Sequence, residues 1–265
     1  MKLGFIGGGN MATAIIGGII NADAVKKEDI FVYDVFAPAC ERLKEKYGVN
    51  ICSDECDIAE SCDTVVLAVK PNVLGSVLEK INNITEKKSI LLISIAAGKK
   101  IEFIRNSLTH DNRIIRVMPN INAVVAEAAI AYTANKQATD EDKATVEKIF
   151  GAVGKVMYFE ESYFPLFGVI GGCGPAFAYM FIDAMARAGV QNGMKKDVAL
   201  SVAAQTVLGS AKMILESTES PWDLTDKVCS PGGTTIEGVM SLQADGFESA
   251  VHNAINKAVE KDSKL

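Results

Sequence analysis

The chain has 265 residues, of which 49% are hydrophobic and 23% charged, and a formal net charge of −6. That length suits one large domain or two ordinary ones, and two are expected; the slight apolar excess suggests burial between subunits. An acidic balance with no basic block argues against nucleic acid and an anionic membrane surface as partners, and leaves a small molecule.

Leu3 to Ile6 read as a short buried strand that opens into Gly7-Gly8-Gly9-Asn10-Met11-Ala12, a Gly-x-Gly-x-x-Ala turn, and then into a small-residue apolar helix to about Ile20. This is the dinucleotide-binding order of parts. Gly7 permits the tight turn, Gly9 lets the backbone approach a pyrophosphate, and Ala12 lets the helix pack closely on the strand. The free N–H groups at the helix start then face the phosphates. A second strand, Ile30 to Tyr33, ends in Asp34, 22 residues beyond Ala12 and close to the expected ribose-binding carboxylate. A glycine turn alone is a weak signal, and the strand, helix and acid around it supply the context; the alternative is a Rossmann scaffold with no ligand.

Further along, Pro38 to Tyr47 read as a helix, Thr64 to Val69 as a buried parallel strand ending in Lys70-Pro71, and Pro71 as the start of a helix through Leu74, Val77, Leu78 and Ile81. The strand Ile90 to Ile95 ends in Ala96-Ala97-Gly98. A helix from about Ile101 to Leu108 and the strand Ile114 to Val117 follow, ending in Met118-Pro119-Asn120. Two more strands, 126–132 and 155–159, flank a helix at about 140–150. Alternating strands and helices predict an α/β fold, a Rossmann-type doubly wound, mostly parallel sheet over residues 1–160.

In such sheets ligands bind at the carboxyl ends of the strands. The candidate cofactor-binding residues are therefore Ile6, Gly7, Gly8, Gly9, Asn10, Met11, Asp34, Val69, Lys70, Pro71, Ala96, Ala97 and Asn120. Lys70 either touches a cofactor phosphate or ribose or is a solvated lysine at a helix start. Asn120 either orients the nicotinamide or substrate or is an ordinary turn former.

Beyond residue 160 the strand signal stops. Pro175 to Ala188, Lys196 to Glu216, Pro221 to Val228, Thr234 to Leu242 and Phe247 to Lys261 are helical in pattern and rich in Ala, Met, Leu and Val. Residues 161–265 are thus expected to form an all-helical substrate-binding domain that packs against a copy of itself, giving at least a dimer. Within it, Ser230-Pro231-Gly232-Gly233-Thr234-Thr235 combines hydroxyl donors with backbone N–H groups at a helix start. That is a socket for a carboxylate, or else a capping loop.

Met1 leads directly into the first strand, and no apolar run reaches the length of a membrane span, so a cytoplasmic protein with no membrane partner is expected. Cys40, Cys52, Cys56, Cys62, Cys173 and Cys229 lack zinc spacing and read as reduced thiols, with no metal site. Up to this point the residues describe a nicotinamide-dependent oxidoreductase acting on a small carboxylated substrate.

Gly4-Phe-Ile-Gly-Gly-Gly-Asn-Met-Ala12, Ala68-Val-Lys-Pro71, Arg116-Val-Met-Pro-Asn120, Gly174-Pro-Ala-Phe177 and above all Ser230-Pro-Gly-Gly-Thr-Thr235 resemble pyrroline-5-carboxylate reductases, through nearly the whole chain and both domains in order. The resemblance implies reduction of the cyclic imine Δ1-pyrroline-5-carboxylate to L-proline with NAD(P)H, the last step of proline biosynthesis. It also implies a homodimer, or a higher homo-oligomer, built through the helical domain. Carried over by motif, Ser230, Gly232, Gly233, Thr234 and Thr235 hold the substrate carboxylate, with Thr235 near the ring nitrogen as the catalytic candidate. Glu161 is a candidate for the amine side, or one of a solvated acidic pair with Glu160.

That chemistry accounts for the lack of a promising histidine, since His110 and His252 sit in no catalytic motif. A carbonyl reductase needs an acid to protonate a developing alkoxide, whereas an imine can arrive protonated and demands mainly orientation and a polar socket. The chain departs from the family where Gly171-Gly-Cys-Gly-Pro-Ala176 replaces Ser-Gly-Ser-Gly-Pro-Ala, losing two hydroxyls. It departs again at Asp34, where many relatives have a small polar residue. A carboxylate there should bond a free ribose 2′-OH and repel a 2′-phosphate, which predicts NADH over NADPH. The rivals are a reductase of a related cyclic imine, a β-hydroxyacid dehydrogenase and a non-enzymatic nucleotide-binding regulator. The dehydrogenase would carry a lysine after a glycine cluster, and 171–181 has none.

Overall fold

A computed structural model describes residues 1–263. The described chain divides into two compact units, residues 1–172 and 173–263, so residues 161–172 pack with the first.

In the first unit an eight-stranded sheet runs in the order β3-β2-β1-β4-β5-β6-β7-β8. The strands are β1 (Leu3–Ile6), β2 (Ile30–Tyr33), β3 (Asn50–Ile51), β4 (Thr64–Leu67), β5 (Leu91–Ser94), β6 (Arg113–Met118), β7 (Ala128–Ala134) and β8 (Gly154–Tyr158). All pairings are parallel except β6 with β7, which are antiparallel. This is the doubly wound sheet that the strand and helix alternation predicts. β1 lies between β2 and β4, because the chain winds outward through β2 and β3 and then crosses back to the other side. That reversal opens a crevice at the carboxyl ends of β1 and β4.

The helices are α1 (Asn10–Asn21), α2 (Ala37–Tyr47), α3 (Glu55–Ser61), α4 (Leu74–Lys87), α5 (Ile101–Asn106) and α6 (Asp140–Gly151). They cover both faces because the strands are apolar on both. Leu3, Phe5, Val66, Leu91, Ile93, Ile115 and Val117 join α1, α2 and α6 in one core layer. Ile6, Val65, Leu67, Leu92 and Ile114 join α3, α4 and α5 in the other. Period-2 alternation thus sends successive residues to opposite layers.

β3 and α3 are among the elements that escape the sequence reading. β3 has only two residues, both exposed, and α3 is a polar seven-residue helix, Glu-Cys-Asp-Ile-Ala-Glu-Ser, too short to display a helical period. The helix expected from Pro71 begins at Leu74, because Val73 N–H closes a turn on the Lys70 carbonyl at 2.9 Å.

From Glu161 the chain runs through a 3-10 turn, α7 (Phe164–Phe167) and a π-helical segment, Gly168–Cys173, whose last residue opens the second unit. The second unit is helical throughout: α8 (Gly174–Gln191), α9 (Lys196–Glu216), α10 (Pro221–Val228), α11 (Thr234–Ala244) and α12 (Phe247–Asp262). Among the described residues its buried apolar cluster is Ala186, Ala199 and Ala203, with Ile182 packed against them. Meanwhile Leu215 is 83% exposed, Met180 72% and Val228 63%. Glu161–Gln191 and Lys196–Glu216 are long and apolar enough to cross a membrane by length and composition. This corrects the expectation that no apolar run reaches that length. Asp183, Arg187 and Lys212 interrupt the apolar letters but dilute the average too little to remove the signal.

The last turn of α1 packs closely on Ala152 and Val153, between α6 and β8. A Cβ on Gly18 would lie 2.1 Å from Val153 Cγ1 and 3.0 Å from the Ala152 carbonyl oxygen, whereas one on Gly151 would meet nothing within 4 Å. Gly18→Ala should lower the unfolding free energy by about 1–3 kcal/mol. Gly151→Ala should raise it by roughly 0.5 kcal/mol through the unfolded state. Urea titration of each variant measures both.

Candidate active site

The turn after β1 is built by glycine for two different reasons. Gly7 has φ +107°, donates its N–H to the Tyr33 carbonyl at 2.7 Å, and would drive a Cβ to 2.5 Å from the Ala68 carbonyl oxygen. No side chain fits there. Gly9 has an ordinary φ and is the N-cap of α1, and a Cβ on it would meet no protein atom within 4 Å. Packing therefore does not require this glycine, which lines an open cavity. With no capping side chain on Gly9, the first N–H groups of α1 and the positive end of its dipole are left for an anion.

Asp34, just past β2, is oriented by two backbone donors. Gly8 N–H donates to Oδ2 at 2.7 Å and Phe36 N–H to Oδ1 at 2.8 Å. A carboxylate has about four lone-pair sites, so capacity for a ribose hydroxyl remains. Asp34 opens onto a cavity of about 580 Å³, whose lining includes Ile6, Gly7, Gly9, Asn10, Met11, Val69, Lys70, Pro71, Ala96 and Ala97. Tyr33, Val35, Glu55 and Arg116 line it too.

Gly8 and Asn120 stand apart from that lining. Gly8 works behind it through its bond to Asp34. Asn120 is 7% exposed and its side chain is occupied: Nδ2 donates to the Gly171 carbonyl at 2.9 Å, and Oδ1 accepts from Asn122 N–H at 3.2 Å. The amide thus ties the end of β6 to the π-helical segment, at one of the two positions where the expected serine is absent.

Glu161 is likewise engaged. Its Oε1 accepts from Ile101 N–H at 2.9 Å, capping α5, and from Arg116 Nη1 at 2.9 Å. The Arg116 side chain is 7% exposed, and its guanidinium lies 4.4 Å from the Phe164 ring centroid. The signal for Arg116 was available, as a charge between the apolar pairs Ile114-Ile115 and Val117-Met118 of β6. Glu55 carried none, because nothing in its local pattern marks it.

Ser230, Gly232, Gly233, Thr234 and Thr235 belong to the second unit. Gly232 has φ +66°, and Gly233 N–H closes on the Ser230 carbonyl at 2.9 Å. Gly233 then serves as the N-cap of α11 with no side-chain bond. By contrast α6 and α10 both begin with full capping boxes, from Thr139 and Ser220. The Thr234–Ala244 helix therefore presents free N–H groups at its start. Among the described residues no group of three or more His, Cys, Asp or Glu side chains is arranged to hold a metal ion. Burial pushes the Cys52 and Cys62 thiols up to about 12, so both stay protonated.

A doubly wound sheet with a glycine turn, an open helix start and an oriented acid around one crevice defines a dinucleotide-binding unit. Two family models match the chain: "NADP oxidoreductase coenzyme F420-dependent" over residues 2–98 and "Pyrroline-5-carboxylate reductase dimerisation" over residues 161–265. A pyrroline-5-carboxylate reductase of Methanosarcina acetivorans is 43% identical over 265 residues, covering 100% of this chain and 97% of the relative. Among solved structures, pyrroline-5-carboxylate reductase from Coxiella burnetii has a TM-score of 0.93 at 34% identity, covering 99% of this chain and 97% of that one. Pyrroline carboxylate reductase from Plasmodium falciparum with NADP bound has a TM-score of 0.85 at 37% identity, with coverage of 99% and 97%. The chain belongs to the pyrroline-5-carboxylate reductase family.

Proposed function

We propose that this chain reduces Δ1-pyrroline-5-carboxylate to L-proline, the last step of proline biosynthesis, using NAD(P)H with NADH preferred. The observation that carries the reading is 43% identity to a named pyrroline-5-carboxylate reductase over an alignment spanning all 265 residues. The local geometry supports it. NADH or NADPH, when bound, supplies the hydride.

The remaining work falls to the protein's own groups. Gly9 and the first N–H groups of α1 bind the pyrophosphate, while Val69, Lys70, Pro71, Ala96 and Ala97 wall the cavity. Asp34, already aimed by Gly8 and Phe36, accepts from the ribose 2′-OH and repels a phosphate there. Asn120 acts on the site through the end of β6, which it holds to Gly171.

Ser230, Gly232, Gly233 and Thr234 take the substrate carboxylate. The uncapped start of α11 supports this, because a glycine N-cap leaves orphan donors and a positive dipole end that an anion satisfies. Thr235 hydrogen-bonds the ring nitrogen and relays a proton without needing to be a strong acid. Glu161 keeps Oε2 for the amine side, that oxygen having no partner among the described residues.

The helical unit pairs with a second copy of the chain. Three buried alanines are too small a core for so many residues, and the exposed apolar faces of α8 and α9 need a cover. The dimerisation family model over 161–265 favours a protein partner over lipid, in accord with a cytoplasmic enzyme.

With Δ1-pyrroline-5-carboxylate the purified protein should oxidise NADH, and Thr235→Ala should lower kcat/KM by about 10²-fold, as loss of one transition-state hydrogen bond does elsewhere. A wild type that leaves NADH untouched with this imine overturns the reading. kcat/KM should favour NADH over NADPH by about tenfold; the opposite preference removes the role given to Asp34. Light scattering at micromolar concentration should give a dimer or a multiple of it, and a monomer would refute the pairing.

A further inference from the structure

Glu55 is a buried acid that the proposed reaction leaves unused. It opens α3 immediately after β3, and β3 pairs in parallel with β2. Glu55 and Asp34 therefore emerge from the carboxyl ends of neighbouring strands and line the same cavity. The Glu55 side chain is 6% exposed, and its Oε1 accepts from Lys80 Nζ at 2.9 Å. Its Oε2 has no partner among the described residues. Tyr33 lies close by: burial first, and then the negative charge of Glu55, push its phenol above the ordinary value.

Resting on the reading of this cavity as the site of NADH or NADPH, we propose that Glu55, tempered by Lys80, is a second determinant of cofactor choice and acts with Asp34 against a phosphorylated ribose. An ionised carboxylate only accepts hydrogen bonds. In a cavity wall it therefore suits the hydroxyl and amino donors of unmodified adenosine and repels a phosphate dianion, with little water to screen the repulsion. Lys80, on α4, is 55% exposed and is absent from the cavity lining, so it acts on a ligand through Glu55 and not by direct contact. Removing the acid and removing its counter-ion must then shift preference in opposite directions, which a purely structural ion pair would not produce.

The test measures Kd for NADH and NADPH by calorimetry, together with kcat/KM, in the full-length wild type, Glu55→Gln, Lys80→Met and the double variant. Glu55→Gln keeps the volume and should raise affinity for NADPH relative to NADH by about tenfold. Lys80→Met should lower the same ratio severalfold, and the double variant should behave like Glu55→Gln, since without the acid there is no charge for Lys80 to temper. A Glu55→Gln protein that weakens both nucleotides alike overturns the proposal. So does a Lys80→Met protein with a raised ratio, or a double variant that loses the gain, which would make Lys80 a direct phosphate ligand. Each ratio is read against the wild type whichever cofactor that favours, and Asp34→Ser tests the earlier preference separately. Absence of binding by either nucleotide to the wild type would instead remove the cofactor reading itself.

Discussion

The structure depends on one junction, where the ends of β1 and β2 are locked together. Gly7 N–H reaches the Tyr33 carbonyl, Gly8 N–H reaches the Asp34 carboxylate, and Ala68 N–H, just past β4, reaches the Ile6 carbonyl. Three strand ends are thereby held in register around the crevice that the strand order creates. The same contacts that close the turn also aim the acid. The turn and the orientation of the acid at this point are therefore one set of hydrogen bonds.

Two of the charges around the cavity are held in ion pairs whose partners come from distant parts of the chain. Asp34, Glu55, Lys70 and Arg116 all line it. Glu55 is tempered by Lys80 across 25 residues of sequence and Arg116 by Glu161 across 45. Removing one partner from such a pair leaves a poorly solvated charge, which costs more than the pair contributes. The Arg116 pair also bonds Ile101 at the start of α5 and stacks on Phe164, so β6, α5 and the helical run from Glu161 share one polar anchor.

The helical unit follows a different logic. A domain normally hides its apolar surface in its own core, yet here the core is three alanines while long stretches of α8 and α9 face outward. Small residues allow close helix contact but bury little area each. Stability of this unit then rests on surfaces supplied from outside, and homo-oligomerisation is the solution its family uses.

Much of this was readable in the order of residues. The glycine turn, the strand and helix alternation and the acid after β2 carry their own signals, because turn geometry and hydrophobic period are local properties. The uncapped glycine at the start of α11 belongs with them. What no local pattern announces is pairing at a distance: that Asn120 is spent on Gly171, that Glu161 caps α5 and holds Arg116, and that a short polar helix delivers Glu55 to the cavity wall. A side chain's hydrogen-bond partner is set by where the fold brings other segments, and at separations of tens of residues only the packed tertiary structure decides it.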